Sequence, residues 1–147
     1  MNTNIIKAAF MLDEGRYTCV LCKDDMVYTS TERGVKPLLT WYGSGINLKG
    51  FYAADKVVGK AAAFLYILLG VAEIYAPVMS EGAIQILENG GIKTECKLSV
   101  KEIMNRAGTG RCPMEEAVDG IANAEEALVA IRSKIEMLNH FHHPAMR

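Results

Sequence analysis

The chain has 147 residues, 50% of them hydrophobic and 22% charged, with a formal net charge of -1. That length excludes two ordinary domains and allows one with a real core. The near-neutral balance excludes a global pull towards nucleic acid or an anionic membrane, so any anion site must be local. The apolar run from Ala61 to Ala72 falls short of the roughly 18–20 residues that cross a bilayer and reads as a buried helix. The start, "MNTNIIKAAFMLDEG", lacks a basic stretch followed by a clean apolar core, so no leader is expected and the expected location is the cytoplasm.

In chain order, Ile5, Ile6, Ala9 and Phe10 recur at helical spacing over residues 4–14, and Gly15 supplies a stop. Residues 16–31 read as a hairpin turning at Asp24–Asp25. It carries "CVLC" (19–22), the spacing of a zinc knuckle. Side chains three apart on a strand face opposite ways, so Cys19 and Cys22 are expected as buried thiols. "ERGVKPLLTWYGSG" (32–45) is a short helical or irregular segment, and "ADKVVGKAAAFLYILLG" (54–70) is expected to be one helix. A strand follows at 73–79, then a helix capped by Ser80 and ending at Gly90 or Gly91, then a strand at 92–98. This alternation is the rhythm of a parallel sheet with crossover helices.

Residues 100–106 read equally as a helix started by Ser99 and Glu102 or as extended chain. "RAGTGRCPMEEAV" (106–118) is a glycine loop entering a helix with Pro113 at its first position. Asn123 and Glu126 signal a last helix with a stripe of Ala124, Leu128, Ile131, Ile135 and Leu138. One domain over 1–138 is expected, with 139–147 a frayed or extended tail.

Taken together, "AADKVVGKAAA", "APVMSEGAIQIL" and "GTGRCPMEEA" resemble a small uncharacterised family with the cytidine-deaminase-like fold. The resemblance implies an α/β protein, a three-layer α/β/α sandwich around a mixed sheet that starts with an antiparallel hairpin. It does not imply deamination. Zinc deaminases place a His or Cys and a Glu at one helix start and two Cys at the next. Here the first position reads Ala53-Ala54-Asp55-Lys56, the second Pro77-Val78-Met79-Ser80, and all three histidines lie in the tail. No metal and no cofactor are expected.

What remains for the pocket is basic and glycine-rich. Lys56 and Lys60, one turn apart on the expected helix, would share a face near a helix start that already favours anions. Gly108, Thr109 and Gly110 suit close backbone approach, and Arg106 and Arg111 beside them add forked donors. Arg33, in "TSTERGVK", is a further candidate contact. The expected ligand is a nucleotide or phosphorylated nucleoside-like metabolite, with Asp55 receiving a sugar hydroxyl. Two other functions stay open. One is a structural homo-oligomer packed through the apolar helix. The other is a thiol-dependent enzyme using Cys112, activated beside Arg111.

Overall fold

A computed structural model describes residues 2–142. The amphipathic opening forms α1 (Thr3–Glu14), whose Asn2 side chain accepts from the Asn4 N–H as its cap. Alternating apolar residues form β1 (Cys19–Lys23) and β2 (Met26–Ser30), joined through Asp24, which takes a left-handed φ of 55°. The segment after the hairpin resolves to α2 (Lys36–Ser44), with Pro37 in its first turn.

The next stretch departs from the sequence expectation. Residues 54–59 are not helical: β3 (Tyr52–Asp55) and β4 (Val57–Val58) precede α3 (Lys60–Leu69). The helix therefore starts six residues later than the sequence suggests, and Lys56 and Lys60 do not share a helix face. Val57, Val58 and Gly59 decide this, because paired β-branched residues favour a pleated strand and glycine suits the break. From Lys60 onward the expectation of a buried helix holds, with Ala61 through Tyr66 and Leu69 all buried.

The chain continues through β5 (Glu73–Ser80), α4 (Glu81–Asn89), β6 (Lys93–Val100), α5 (Pro113–Ala117) and α6 (Ala124–His142). Ser80 caps α4 as expected, accepting from the Ala83 N–H at 3.1 Å. Residues 101–106 do not form a helix; the only pairing there is a bridge between Met104 and Arg111. Helix α6 passes the expected boundary at 138 and runs through His142, while the remainder of the tail lies outside the described residues.

The described residues form a mixed α/β fold with a six-stranded sheet and six helices. β1 is antiparallel to β2 and β3, whereas β3, β4 and β6 all run parallel to β5. β3 and β4 meet one edge of β5 and β6 the other, since Glu73 pairs with both Tyr52 and Lys93 and Val78 with both Val57 and Leu98. β3 and β4 are thus one line interrupted at Lys56. Asp55 and Val58 both turn towards the α3 side, three residues apart, as a bulge allows.

Helix α1 covers one face of the sheet through Ile5, Ala8 and Leu12 against Val20, Cys22, Ala54 and Tyr75. The larger core lies on the other face, where α3 packs among α2, α4 and α6. α3 spends its apolar surface inside its own chain, so a homo-oligomer would have to use another surface. No helix among the described residues is long and apolar enough to cross a membrane.

The Tyr75 hydroxyl, buried under α1, has no hydrogen-bond partner among the described residues. Its loss removes a desolvation cost without breaking a bond. Tyr75→Phe is expected to stabilise the chain by about 1 kcal/mol, read as a higher urea midpoint. A destabilised variant would show that the hydroxyl is satisfied in solution.

Candidate functional site

The bulge at Lys56 opens a cavity of about 770 Å³ between the ends of β1 and β3, the start of α3 and the 103–115 segment. Its walls are largely apolar, from Val35, Val57, Ala62, Ile103, Met104 and Met114. Arg33, Lys56 and Arg106 line it, and none of them has an ion-pair partner among the described residues.

Asp55 lies in the cavity lining and is only 7% exposed. Pairing of Asp55 with Cys19 across β1 and β3 sets both side chains towards α3, where Tyr66 meets them. The Tyr66 hydroxyl donates to Asp55 Oδ2 at 2.7 Å and lies 3.2 Å from Cys19 Sγ. Burial pushes the Asp55 carboxyl up to about 7, against the opposing pull of Tyr66 and the backbone N–H groups of Val57 and Lys56. Burial and the neighbouring Asp55 charge likewise raise the Cys19 thiol and the Tyr66 phenol, so both stay protonated.

Cys22 faces the other way and donates to the Asn4 carbonyl at 3.0 Å. The two thiols of "CVLC" therefore lie on opposite faces of β1, as strand geometry requires. No group of three His, Cys, Asp or Glu side chains among the described residues is placed to hold a metal.

The residue that the sequence reading missed is Glu115. It is 4% exposed and reaches back from α5 to the start of α3. Its carboxylate accepts from the N–H of Lys60 at 2.7 Å and of Ala61 at 2.9 Å. The positive end of the α3 dipole is thus already matched by a carboxylate of the same chain. Gly59 makes the approach feasible, since a Cβ there would sit 2.6 Å from the carboxylate carbon. One signal in the sequence pointed to it. With α3 starting at Lys60, Gly59 brings no side chain to cap it, which leaves its first N–H groups to water or to another segment.

The predicted cations separate into two places. Arg33 and Lys56 line the cavity with Asp55, whereas Lys60, Gly108, Thr109, Gly110 and Arg111 do not. Arg111 forks onto Asp119 at 2.7 and 2.6 Å and lies 3.3 Å from Glu102. Lys60 joins the same carboxylate at 3.9 Å, its stem packed over Gly82. Arg111, by hydrogen bond and charge, holds Asp119 below the usual carboxylate range. The Gly-Thr-Gly bend is closed on itself: Asn105 accepts from the Thr109 N–H at 3.1 Å and donates to its hydroxyl at 3.2 Å. Of the two arginines expected around that bend, Arg106 lines the cavity and Arg111 does not. Cys112 also lines the cavity, half-buried, but its neighbour Arg111 is directed to Asp119 rather than to the thiol.

Comparison with known proteins returns one family and a matching fold. The TM1506 domain of unknown function, DUF1893, matches residues 7–135. The crystal structure of a DUF1893 family protein, TM1506, from Thermotoga maritima superposes with a TM-score of 0.82 at 24% identity, covering 91% of this chain and 92% of that one. Comparison with curated proteins gives no match. At that identity the superposition speaks for the fold alone, whereas the family match spans most of the sequence. The chain belongs to the TM1506 family, DUF1893.

Proposed function

We propose that the chain binds a nucleotide or a related phosphorylated metabolite in a metal-free cavity of a cytidine-deaminase-like fold. One observation carries the reading: three cations without ion-pair partners among the described residues, Arg33, Lys56 and Arg106, line one largely apolar cavity. A cavity of about 770 Å³ falls in the size range of small-molecule sites. Apolar walls suit the face of a heterocycle, and guanidinium forks suit phosphate oxygens. Exposed lysines and arginines are common on any surface; three of them around one recess favour an anion.

The deaminase-like comparison carries no zinc chemistry into this reading. The start of α3 reads Gly59-Lys60-Ala61 and that of α4 reads Ser80-Glu81-Gly82, without His or Cys. Moving the start of α3 from 54 to 60 therefore brings in no ligand, and its end is closed by Glu115. These residues do not fit a zinc ion.

The test is a thermal-shift and calorimetric panel of nucleoside mono- and diphosphates, with inorganic phosphate and the free nucleosides alongside. A nucleotide is expected to bind more tightly than either half alone. Lys56→Ala and Arg33→Ala are each expected to weaken it by about tenfold, the size of one lost charge-assisted contact. Raised salt is expected to weaken it as well. A folded chain that ignores the whole panel would refute the reading.

A further inference from the structure

Asp55 is the residue of the cavity whose surroundings least suit its charge. It is buried, faces a largely apolar recess, and has no ion-pair partner among the described residues. A buried carboxylate in such a setting is costly unless it is paired or neutralised. What reaches it is neutral: the backbone N–H groups of Val57 and Lys56, which do not outweigh burial, and a string of two side chains. Tyr66 has one hydroxyl proton and gives it to Asp55 Oδ2, which leaves its oxygen to accept from the Cys19 thiol. The string runs Sγ–H to Oη–H to Oδ2, and Tyr66 is fully buried, so it ends at Asp55 rather than in water. With Oδ2 taken, a proton on the carboxyl belongs on Oδ1.

We propose that Asp55, carrying its proton on Oδ1, is the specificity-determining donor of the cavity: it receives a neutral hydrogen-bond acceptor of the ligand, while Arg33, Lys56 and Arg106 receive the anionic end. The inference rests on the nucleotide reading above and sharpens it. A ligand that fits presents a ring nitrogen or a carbonyl oxygen to Asp55 and keeps its phosphate at a distance from it. A sugar hydroxyl offered to an ionised Asp55 is the reverse polarity. The raised carboxyl value agrees with a neutral acid through the acidic range. Of the other titratable groups near Asp55, Cys19 and Tyr66 stay protonated. Glu115 is committed to the α3 N–H groups, which leaves Cys112 and the three cations around the recess.

The experiment measures binding of AMP, GMP, CMP and UMP by calorimetry to the native chain and to Asp55→Asn. Each is run at about pH 6 and about pH 8.5, because the donor is lost as the carboxyl ionises. Asparagine keeps an N–H donor that does not titrate. For whichever mononucleotide binds most tightly, the native chain is expected to lose about tenfold more affinity between the two pH values than Asp55→Asn does. The ligand phosphate titrates equally in both proteins and cancels. Equal pH ratios, or silence from all four at the lower pH, would overturn the inference and leave the nucleotide reading standing; only silence from the whole panel above would overturn both. An NMR titration of the ligand-free chain that finds Asp55 ionising at its ordinary value would also overturn the inference, whatever the ligand.

Discussion

Replacing Glu115 with alanine is expected to cost about 3 kcal/mol, because it strands two backbone donors at the start of the central helix. The N–H groups of Lys60 and Ala61 now meet the two carboxylate oxygens at 2.7 and 2.9 Å. Ala61 is 1% exposed, so water cannot readily take over its half of the contact. Ordinary N-cap loss costs about 1 kcal/mol; burial and the charge of the acceptor raise the expected figure. For a chain of this length that corresponds to a fall in Tm of roughly 6–12 °C. Glu115→Gln keeps one oxygen acceptor but turns an amide N–H towards the second donor, and is expected to fall between the two.

The Gly59 contact allows a sharper check than either single substitution. Its φ of -103° and ψ of -171° are open to alanine, so any cost of Gly59→Ala is steric. In the native chain the added Cβ would sit 2.6 Å from the Glu115 carboxylate carbon and force it to withdraw. With Glu115 already replaced by alanine, the same change has nothing to displace. The double variant is therefore expected to be clearly less destabilised than the sum of the two singles, with a coupling of at least about 1 kcal/mol. Additive costs, or a Glu115→Ala variant within about 0.5 kcal/mol of native stability, would show that the α3 start does not depend on this carboxylate.

The same contact shows why the site was only half legible in the sequence. Elements set by local chemistry could be read directly: the Ile5, Ile6, Ala9 and Phe10 spacing of α1, the Asp24–Asp25 turn, Ser80 capping α4, Pro113 opening α5 and the stripe of α6. The opposite orientation of Cys19 and Cys22 followed from strand periodicity alone. Residues 54–59 misled because Ala53, Ala54 and the alanines after Lys60 favour a helix, whereas the local outcome is set by pairing of Val57 and Val58 with Val78 and Met79. That is a long-range term to which local propensity is blind. Lys60 looked like a ligand contact because the carboxylate that meets it lies 59 residues away, and Arg111 because the turn of α5 that brings Asp119 back to it is not visible in the spacing. Asp119 reaches Arg111 across α5 alone and reaches Lys60 only when α5 packs against α3. Asp55, expected as a ligand contact, lines the cavity, where Tyr66 and Cys19 approach it from two other elements that sequence spacing does not bring together.

Asp55 accordingly carries the second large effect, on stability against pH. Its carboxyl is raised from 3.8 to about 7 in the folded chain. Between those values the folded chain holds a proton that the unfolded chain has released, so folding is favoured at the acidic end. Stability falls as pH rises from about 4 to about 7 and levels off above, when both states are ionised and the folded one keeps a buried charge. A shift of this size corresponds to a few kcal/mol, on the order of 4. Asp55→Asn removes the titration but keeps an acceptor for the Tyr66 hydroxyl. The variant is expected to match native stability within about 1 kcal/mol near pH 4 and to exceed it increasingly up to about pH 7, with the gap constant beyond. Other carboxylates, Asp119 among them, contribute the same pH dependence to both proteins, so the difference between the two urea-unfolding series isolates Asp55. Parallel series would mean that water or a rearranged cation reaches the carboxyl in solution. The cavity would then hold an ordinary carboxylate, one that accepts from its ligand where a neutral acid would donate.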